Sequence, residues 1–157
     1  ELIKILAENK IKVIKSNFFN PELTLSKGNY SKIKPNYNDL KIISKGIKSL
    51  NKLNAYNHIQ GLVIKGSVII KKETSKGTKK MLQTINKSKA VGAILIKFPK
   101  KKQDLRADLP TIGLDTLKDC KKANLKGIVL KSKQNIFMDK KKCVSFANKN
   151  KMFIKVI

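Results

Sequence analysis

An α/β fold is what this sequence predicts: a mixed β-sheet flanked by short helices in a single compact domain, preceded by an irregular N-terminal linker. Two observations carry that reading. Short apolar runs rich in Ile and Val alternate with stretches whose apolar residues recur at helical spacing. The chain of 157 residues is long enough for one buried core and too short for two full ones.

Taken in order, Glu1–Lys10 reads as the last turns of a helix whose beginning lies upstream, and Ile11–Lys15 as a first strand. Ser16–Pro35, with its Asn, Ser, Gly and Pro residues, reads as an irregular linker. Residues 1–36 are therefore expected to close a preceding domain and lead into the next, which spans residues 37–157. The clearest helix is Asp39–Leu53, where Leu40, Ile43, Ile47, Leu50 and Leu53 share one face and Asn38 or Asp39 can cap the start. Gly61–Lys65 and Ser67–Lys72 are strands, and Gly66 between them points to a tight hairpin. Thr78–Asn86 follows Gly77 as a short helix with Met81, Leu82 and Ile85 on one side. Strands Gly92–Phe98, Gly127–Lys131, Asn135–Asp139 and Met152–Ile157 alternate with helices Asp115–Ala123 and Lys140–Lys149.

A formal net charge of +26 first suggests nucleic acid or an anionic membrane as partner. The kind of cation argues otherwise: Arg106 is the only arginine among 36 basic residues, whereas nucleic-acid sites favour the bidentate guanidinium. Most of the lysines are expected to be a solvated face, and a specific nucleic-acid partner is not. Cys120 and Cys143 stand apart, with one histidine, His58, so neither a disulfide framework nor a zinc site is indicated. This suits a reducing cytoplasm. No apolar run approaches the ~20 residues needed to cross a bilayer, which leaves a soluble protein or one touching an anionic inner membrane from the side.

Chemistry concentrates in one place. Asp104, Asp108, Asp115 and Asp119 lie close in sequence, and Arg106 sits among them, in a chain that otherwise drifts to lysine. An extended backbone would project Asp104, Arg106 and Asp108 from one face with neighbours roughly 7 Å apart. Two carboxylates can hold a divalent cation or orient water while a guanidinium grips phosphoryl oxygens, a set suited to hydrolysis of a phosphate anhydride. The bland alternative is a surface loop in which the two aspartates simply pair with Arg106 and nearby lysines.

The run Lys97, Phe98, Pro99, Lys100, Gln103, Asp104, Arg106, Asp108, Leu109, Pro110, Thr111, Ile112, Gly113 resembles the signature of the LpxI-type UDP-2,3-diacylglucosamine pyrophosphatases. Glu73, Gly77, Thr78, Met81 and Leu82 upstream, with Gln60 before a strand, are similar to further family segments. The pattern continues downstream through Thr116, Leu125, Lys126, Gly127 and Ile128 to Ala147 and Phe153. The resemblance implies that residues 37–157 are the C-terminal catalytic domain of a cytoplasmic enzyme of lipid A biosynthesis. Such an enzyme hydrolyses UDP-2,3-diacylglucosamine to UMP and 2,3-diacylglucosamine 1-phosphate with Mg2+ or Mn2+. It implies Asp108 as the leading catalytic or metal-binding carboxylate with Asp104 and Arg106 beside it, and Glu73 as a further metal ligand. Lys97, Gln103, Thr111, Gly77, Thr78 and Gln60 are implied on the substrate side, and the number of copies stays open, a homodimer among the alternatives. Lys76 and Lys79 depart from the pattern, standing where the family has acids. That keeps open a non-catalytic relative that binds the nucleotide-lipid, as the charge keeps open a basic RNA-binding module.

Overall fold

The computed structural model of the chain describes residues 2–53, 59–100, 104–106 and 108–157. Its elements run α1 (Leu2–Glu8), β1 (Gly28–Asn29), α2 (Tyr37–Leu53), β2 (Gly61–Lys65), β3 (Val68–Lys72), α3 (Gly77–Gln83), β4 (Ile94–Lys97), β5 (Thr111–Ile112), α4 (Leu114–Lys122), β6 (Gly127–Leu130), β7 (Ile136–Phe137), α5 (Lys140–Lys149) and β8 (Phe153–Val156). Six strands form one mixed sheet in the order β1-β8-β6-β4-β2-β3, as expected, and β5 and β7 form a small second sheet.

The centre of the main sheet is parallel: β4 pairs with β6 and β6 with β8 in register from Ile94, Gly127 and Phe153 onward. All four residues of β4 and of β6 are buried, because parallel strands are covered on both faces. Alternate side chains serve opposite layers. Leu95, Ile128 and Ile154 meet Met81, Leu82, Leu117, Cys120, Cys143 and Ala147 from α3, α4 and α5. Ile94, Ile96, Val129 and Phe153 meet Ile43 and Leu50 of α2 on the other side. β2 lies antiparallel to β4, and the two-residue turn at Gly66 and Ser67 returns the chain into β3 with Gly66 at φ +58°, which glycine adopts freely.

The helix start at α2 is capped one turn earlier than the sequence suggested. Asn36 Oδ1 accepts the Asp39 amide at 2.9 Å, and Asp39 Oδ2 accepts the Asn36 amide at 3.1 Å, a reciprocal capping box. Asp39 also pairs with Lys126 just before β6, which ties α2 to the sheet.

Two expectations need correction. Residues 11–15 form no strand: Ile11 and Ile14 remain exposed, and the sheet edge next to β8 is taken by β1. β1 comes from within the segment read as irregular, where Leu25 enters the core and Ser31 Oγ accepts the Ile154 amide at 2.8 Å. The strand expected at Asn135–Asp139 shortens to Ile136–Phe137 and pairs with β5 rather than joining the main sheet.

Candidate functional site

The carboxyl ends of parallel strands in an open α/β sheet are where the connecting loops leave room for a ligand. Lys97 is the last residue of β4, opposite Gly61 at the start of β2. Glu73 follows β3 directly, its amide donating to Gly61 O at 2.9 Å. These three therefore meet at one end of the sheet.

Lys97 Nζ donates to both carboxylate oxygens of Glu73, at 2.8 and 3.0 Å, and to Gln60 Oε1 at 3.3 Å. Thr78 Oγ1, in the first turn of α3, donates to Glu73 Oε1 at 2.7 Å. The two charged side chains are only 6% and 4% exposed. Burial pulls the Lys97 ammonium below its ordinary pKa; Glu73 opposes that pull, Lys100 adds to it, and the Asp108 carboxylate raises it again. Gly61 is the floor of this cluster: a Cβ there would stand 2.9 Å from Glu73 Oε2 and 3.4 Å from Lys97 Cδ.

The aspartate loop is the connection that leaves the carboxyl end of β4 and returns through β5 to α4. Arg106 donates its own amide to Asp104 Oδ1 at 2.9 Å, and the Asp108 amide donates to Asp104 O at 3.1 Å, so the chain turns at residues 105 and 106 and the extended arrangement is not met there. An aspartate that caps the amide two residues on favours such a turn over extension. The guanidinium closes on the same carboxylate, Nε at 3.0 Å from Oδ1 and Nη2 at 2.7 Å from Oδ2. That contact holds the Asp104 carboxyl down to about 2, side-chain and then backbone hydrogen bonds from Arg106 being the main causes, and raises Arg106 in turn. Asp104, Arg106 and Asp108 are all exposed, so this ion pair opens at little cost when a phosphate competes for the guanidinium.

The structure therefore joins Gln60, Glu73, Lys97 and Thr78 in one buried network and holds Asp104, Arg106 and Asp108 in one loop. Thr111 lies apart on β5, exposed, its Oγ1 3.4 Å from Leu109 O. Gly77 opens α3 at φ +79°, a conformation that selects glycine, but with seven residues the helix is short. Gln103 and His58 lie outside the described residues.

Among the described residues no three His, Cys, Asp or Glu side chains converge as a metal cluster. Glu73 does not fit the ligand role, since a cation would have to displace the Lys97 ammonium from both of its oxygens. Asp108 fits a hard cation of the Mg2+ or Mn2+ class, which takes one or two carboxylates and completes its shell with phosphate oxygens and water; Asp104 fits only once Arg106 leaves it, because the guanidinium and the Arg106 amide engage both of its oxygens.

Sequence reasoning missed Asn135. It is 2% exposed, accepts the Lys131 amide at 2.9 Å and donates to Lys97 O at 3.2 Å, and it immediately precedes β7. A buried asparagine between two apolar runs was the signal available, and alone it does not separate a turn from a tether.

Comparison with known proteins places this geometry. Residues 26–155 match the LpxI C-terminal domain. The chain is similar to the UDP-2,3-diacylglucosamine pyrophosphatase LpxI of Caulobacter vibrioides, 26% identical over 141 residues covering 85% of this chain and 50% of the relative. It thus spans about half the length of the curated relative it matches. With the family match running from before β1 into β8, the chain belongs to the LpxI family through its C-terminal domain.

Proposed function

We propose that this chain carries the catalytic half of a pyrophosphatase that hydrolyses UDP-2,3-diacylglucosamine to UMP and 2,3-diacylglucosamine 1-phosphate in lipid A biosynthesis, working in the cytoplasm at the inner membrane face. The catalytic domain begins before residue 37, since Leu25, β1 and Ser31 pack into its core and sheet, and the residues ahead of them are the lead into it. The observation that supports this reading most is the position of Asp108. It is exposed on the loop that follows β4, the strand whose carboxyl end presents the buried Lys97, in a chain of the LpxI family.

The residues divide the work. Asp108 is the leading carboxylate, placed to orient water or hold a cation, and Asp104 stays ionised beside it because Arg106 keeps its carboxyl near 2. Arg106 exchanges Asp104 for a phosphoryl oxygen when substrate arrives, so that its charge acts where negative charge develops. Thr111, exposed at the start of β5, and Gln103 are assigned to the nucleotide or sugar by the family resemblance alone. Lys97, Glu73, Gln60 and Thr78 hold the end of the sheet in a charge-neutral hydrogen-bonded cluster. Asp108, joined by Asp104 once Arg106 has turned to the phosphate, would hold Mg2+ or Mn2+, which would supply charge neutralisation at the phosphate.

The test is release of UMP from UDP-2,3-diacylglucosamine with Mg2+ or Mn2+, with Asp108→Ala alongside. Cation-dependent release that the substitution abolishes is the expected result. Full activity in Asp108→Ala overturns the site. Tight binding of the nucleotide-lipid without release identifies the non-catalytic relative to which Lys76 and Lys79 point. RNA binding that survives loss of Arg106 and Asp108 identifies a basic RNA module.

A further inference from the structure

A second site lies away from the buried ion pair, where Leu23 and the end of β7 face the start of α5. A cavity of about 470 Å³ opens there, within the range of roughly 300–1,000 Å³ usual for small-molecule sites. Its apolar wall is Leu23 and Phe137, and Lys140, Lys141 and Lys142 form its rim. Two carboxylates, Glu22 and Asp139, also line it, and the second faces Lys142 at 4.0 Å.

Three features point to the same occupant. The wall is hydrocarbon in character, so a polar ligand would gain little there, whereas an alkyl chain removes its own apolar surface and that of Leu23 from water. The three rim lysines are exposed, and their ammonium groups outnumber the two carboxylates; an anionic head restores the balance. The segment that supplies Leu23 also carries Phe18 and Phe19, which are 65% and 78% exposed and stack edge to face with centroids 5.0 Å apart. Exposed apolar rings such as these gain by leaving water for an acyl layer.

We propose that this cavity takes one acyl chain of an anionic lipid, with the phosphate of that lipid at Lys140, Lys141 and Lys142. The proposal does not depend on the hydrolytic reading, because it is tested by binding alone. Through the Ser16 amide, which donates to Arg106 O at 3.2 Å, the segment walling the cavity is joined to the aspartate loop. A chain seated here would fix that segment beside the loop.

The experiment is calorimetric titration of the chain with dodecyl phosphate below its micelle concentration, compared with inorganic phosphate and dodecanol. Saturable binding at one site is expected, with both partial ligands weaker. Leu23→Glu, which places a charge on the apolar wall, and the triple Lys140→Gln, Lys141→Gln, Lys142→Gln variant should each weaken it by about tenfold or more, or roughly 1.4 kcal/mol. Because a chain of +26 attracts any anion, a charge-matched control on α2, Lys41→Gln with Lys48→Gln and Lys52→Gln, must lose less than about twofold. Phosphatidylglycerol vesicles should compete with dodecyl phosphate, and phosphatidylcholine vesicles should not. Equal losses in the control and the rim triple, or unchanged binding in both cavity variants, overturns the site; failure of the anionic vesicles to compete overturns the lipid as its source. The rim triple is fully on the surface and keeps the test decisive if Leu23→Glu does not fold.

Discussion

The side-chain amide of Asn135 donates to the backbone carbonyl of Lys97 at 3.2 Å, across from the end of β6 to the end of β4. The same side chain accepts the Lys131 amide, and Ile136, the next residue, donates to Pro110 O. One buried asparagine therefore joins the strand that presents Lys97 to the small sheet that anchors the aspartate loop. Asn135→Ala removes the partner of the buried Lys97 carbonyl, at about 1–3 kcal/mol, and that of the part-buried Lys131 amide at less. Asn135→Asp keeps the acceptor for Lys131 but loses the donor to Lys97. If the tether positions the site, kcat falls in both variants while KM for the nucleotide-lipid changes little, and Asn135→Asp, which buries a carboxylate against the Lys97 carbonyl, melts no higher than Asn135→Ala. Loss of stability in both with unchanged kcat would make Asn135 a packing residue only.

The Glu73–Lys97 pair gives a sharper stability test. Both partners are almost wholly buried, so removal of either leaves a charge in low dielectric, at a cost of about 3–5 kcal/mol. Lys97→Met and Glu73→Gln should each show that loss in urea unfolding, and the double variant should recover much of it. A double variant as unstable as the sum of the two would show that the pair does not behave as a unit.

The pH dependence of the same pair has opposite signs for stability and for activity. Burial lowers the Lys97 pKa below 10.5, so between that lowered value and 10.5 the unfolded chain holds more protons on this group than the folded one. Its contribution to stability therefore rises with pH across that window. The ammonium that orders the carboxyl end of β4 is lost over the same range, so activity falls. An alkaline limb of kcat that begins below pH 10.5 and disappears in Lys97→Met, measured alongside unfolding free energy, checks both signs.

Much of this arrangement could be read from the chain, and the exceptions have physical causes. Gly61–Lys65, the Gly66 turn and Lys140–Lys149 emerge with the bounds expected, because hydrophobic period and turn chemistry there agree with the tertiary context. Residues 11–15 have a strand's composition and no strand to pair with; Gly28–Asn29 has poor composition and finds β8. Pairing is a long-range property that local pattern does not carry. In the site, Asp104, Arg106 and Asp108 were visible as residue types, but their turn depends on an aspartate bonding the backbone two residues on. Glu73 looked like a metal ligand because its partner Lys97 is far away in sequence and one more lysine in a lysine-rich chain.

Asp104 itself offers a direct reading of that turn. Its carboxyl is held at about 2 against an ordinary 3.8, chiefly by the Arg106 side chain. A depressed carboxyl stabilises the folded state above the unfolded value and loses that contribution as pH falls from 3.8 toward 2. Carbon-detected NMR titration should find the Asp104 midpoint near 2, rising toward 3.8 in Arg106→Gln. An unmoved midpoint in the variant would show that the guanidinium does not hold this carboxylate in solution.

The net charge of +26 leads to the last expectation. With the ion pairs at Glu73, Asp104 and Asp39 already engaging carboxylates, most lysines face solvent and one another. Mutual repulsion of surface cations opposes the compact state and is screened over a Debye length that shrinks from about 10 Å at 0.1 M salt to about 3 Å at 1 M. Salt should therefore raise the melting temperature steadily across that range, the reverse of what surface ion pairs alone would give. Multivalent anions, which gather at clustered lysines, should act at far lower concentration than chloride. A melting temperature that falls with added chloride would mean that the attractive pairs outweigh the repulsion of the excess lysines, and that the carboxylates of this acid-poor chain hold more of the fold together than their number suggests.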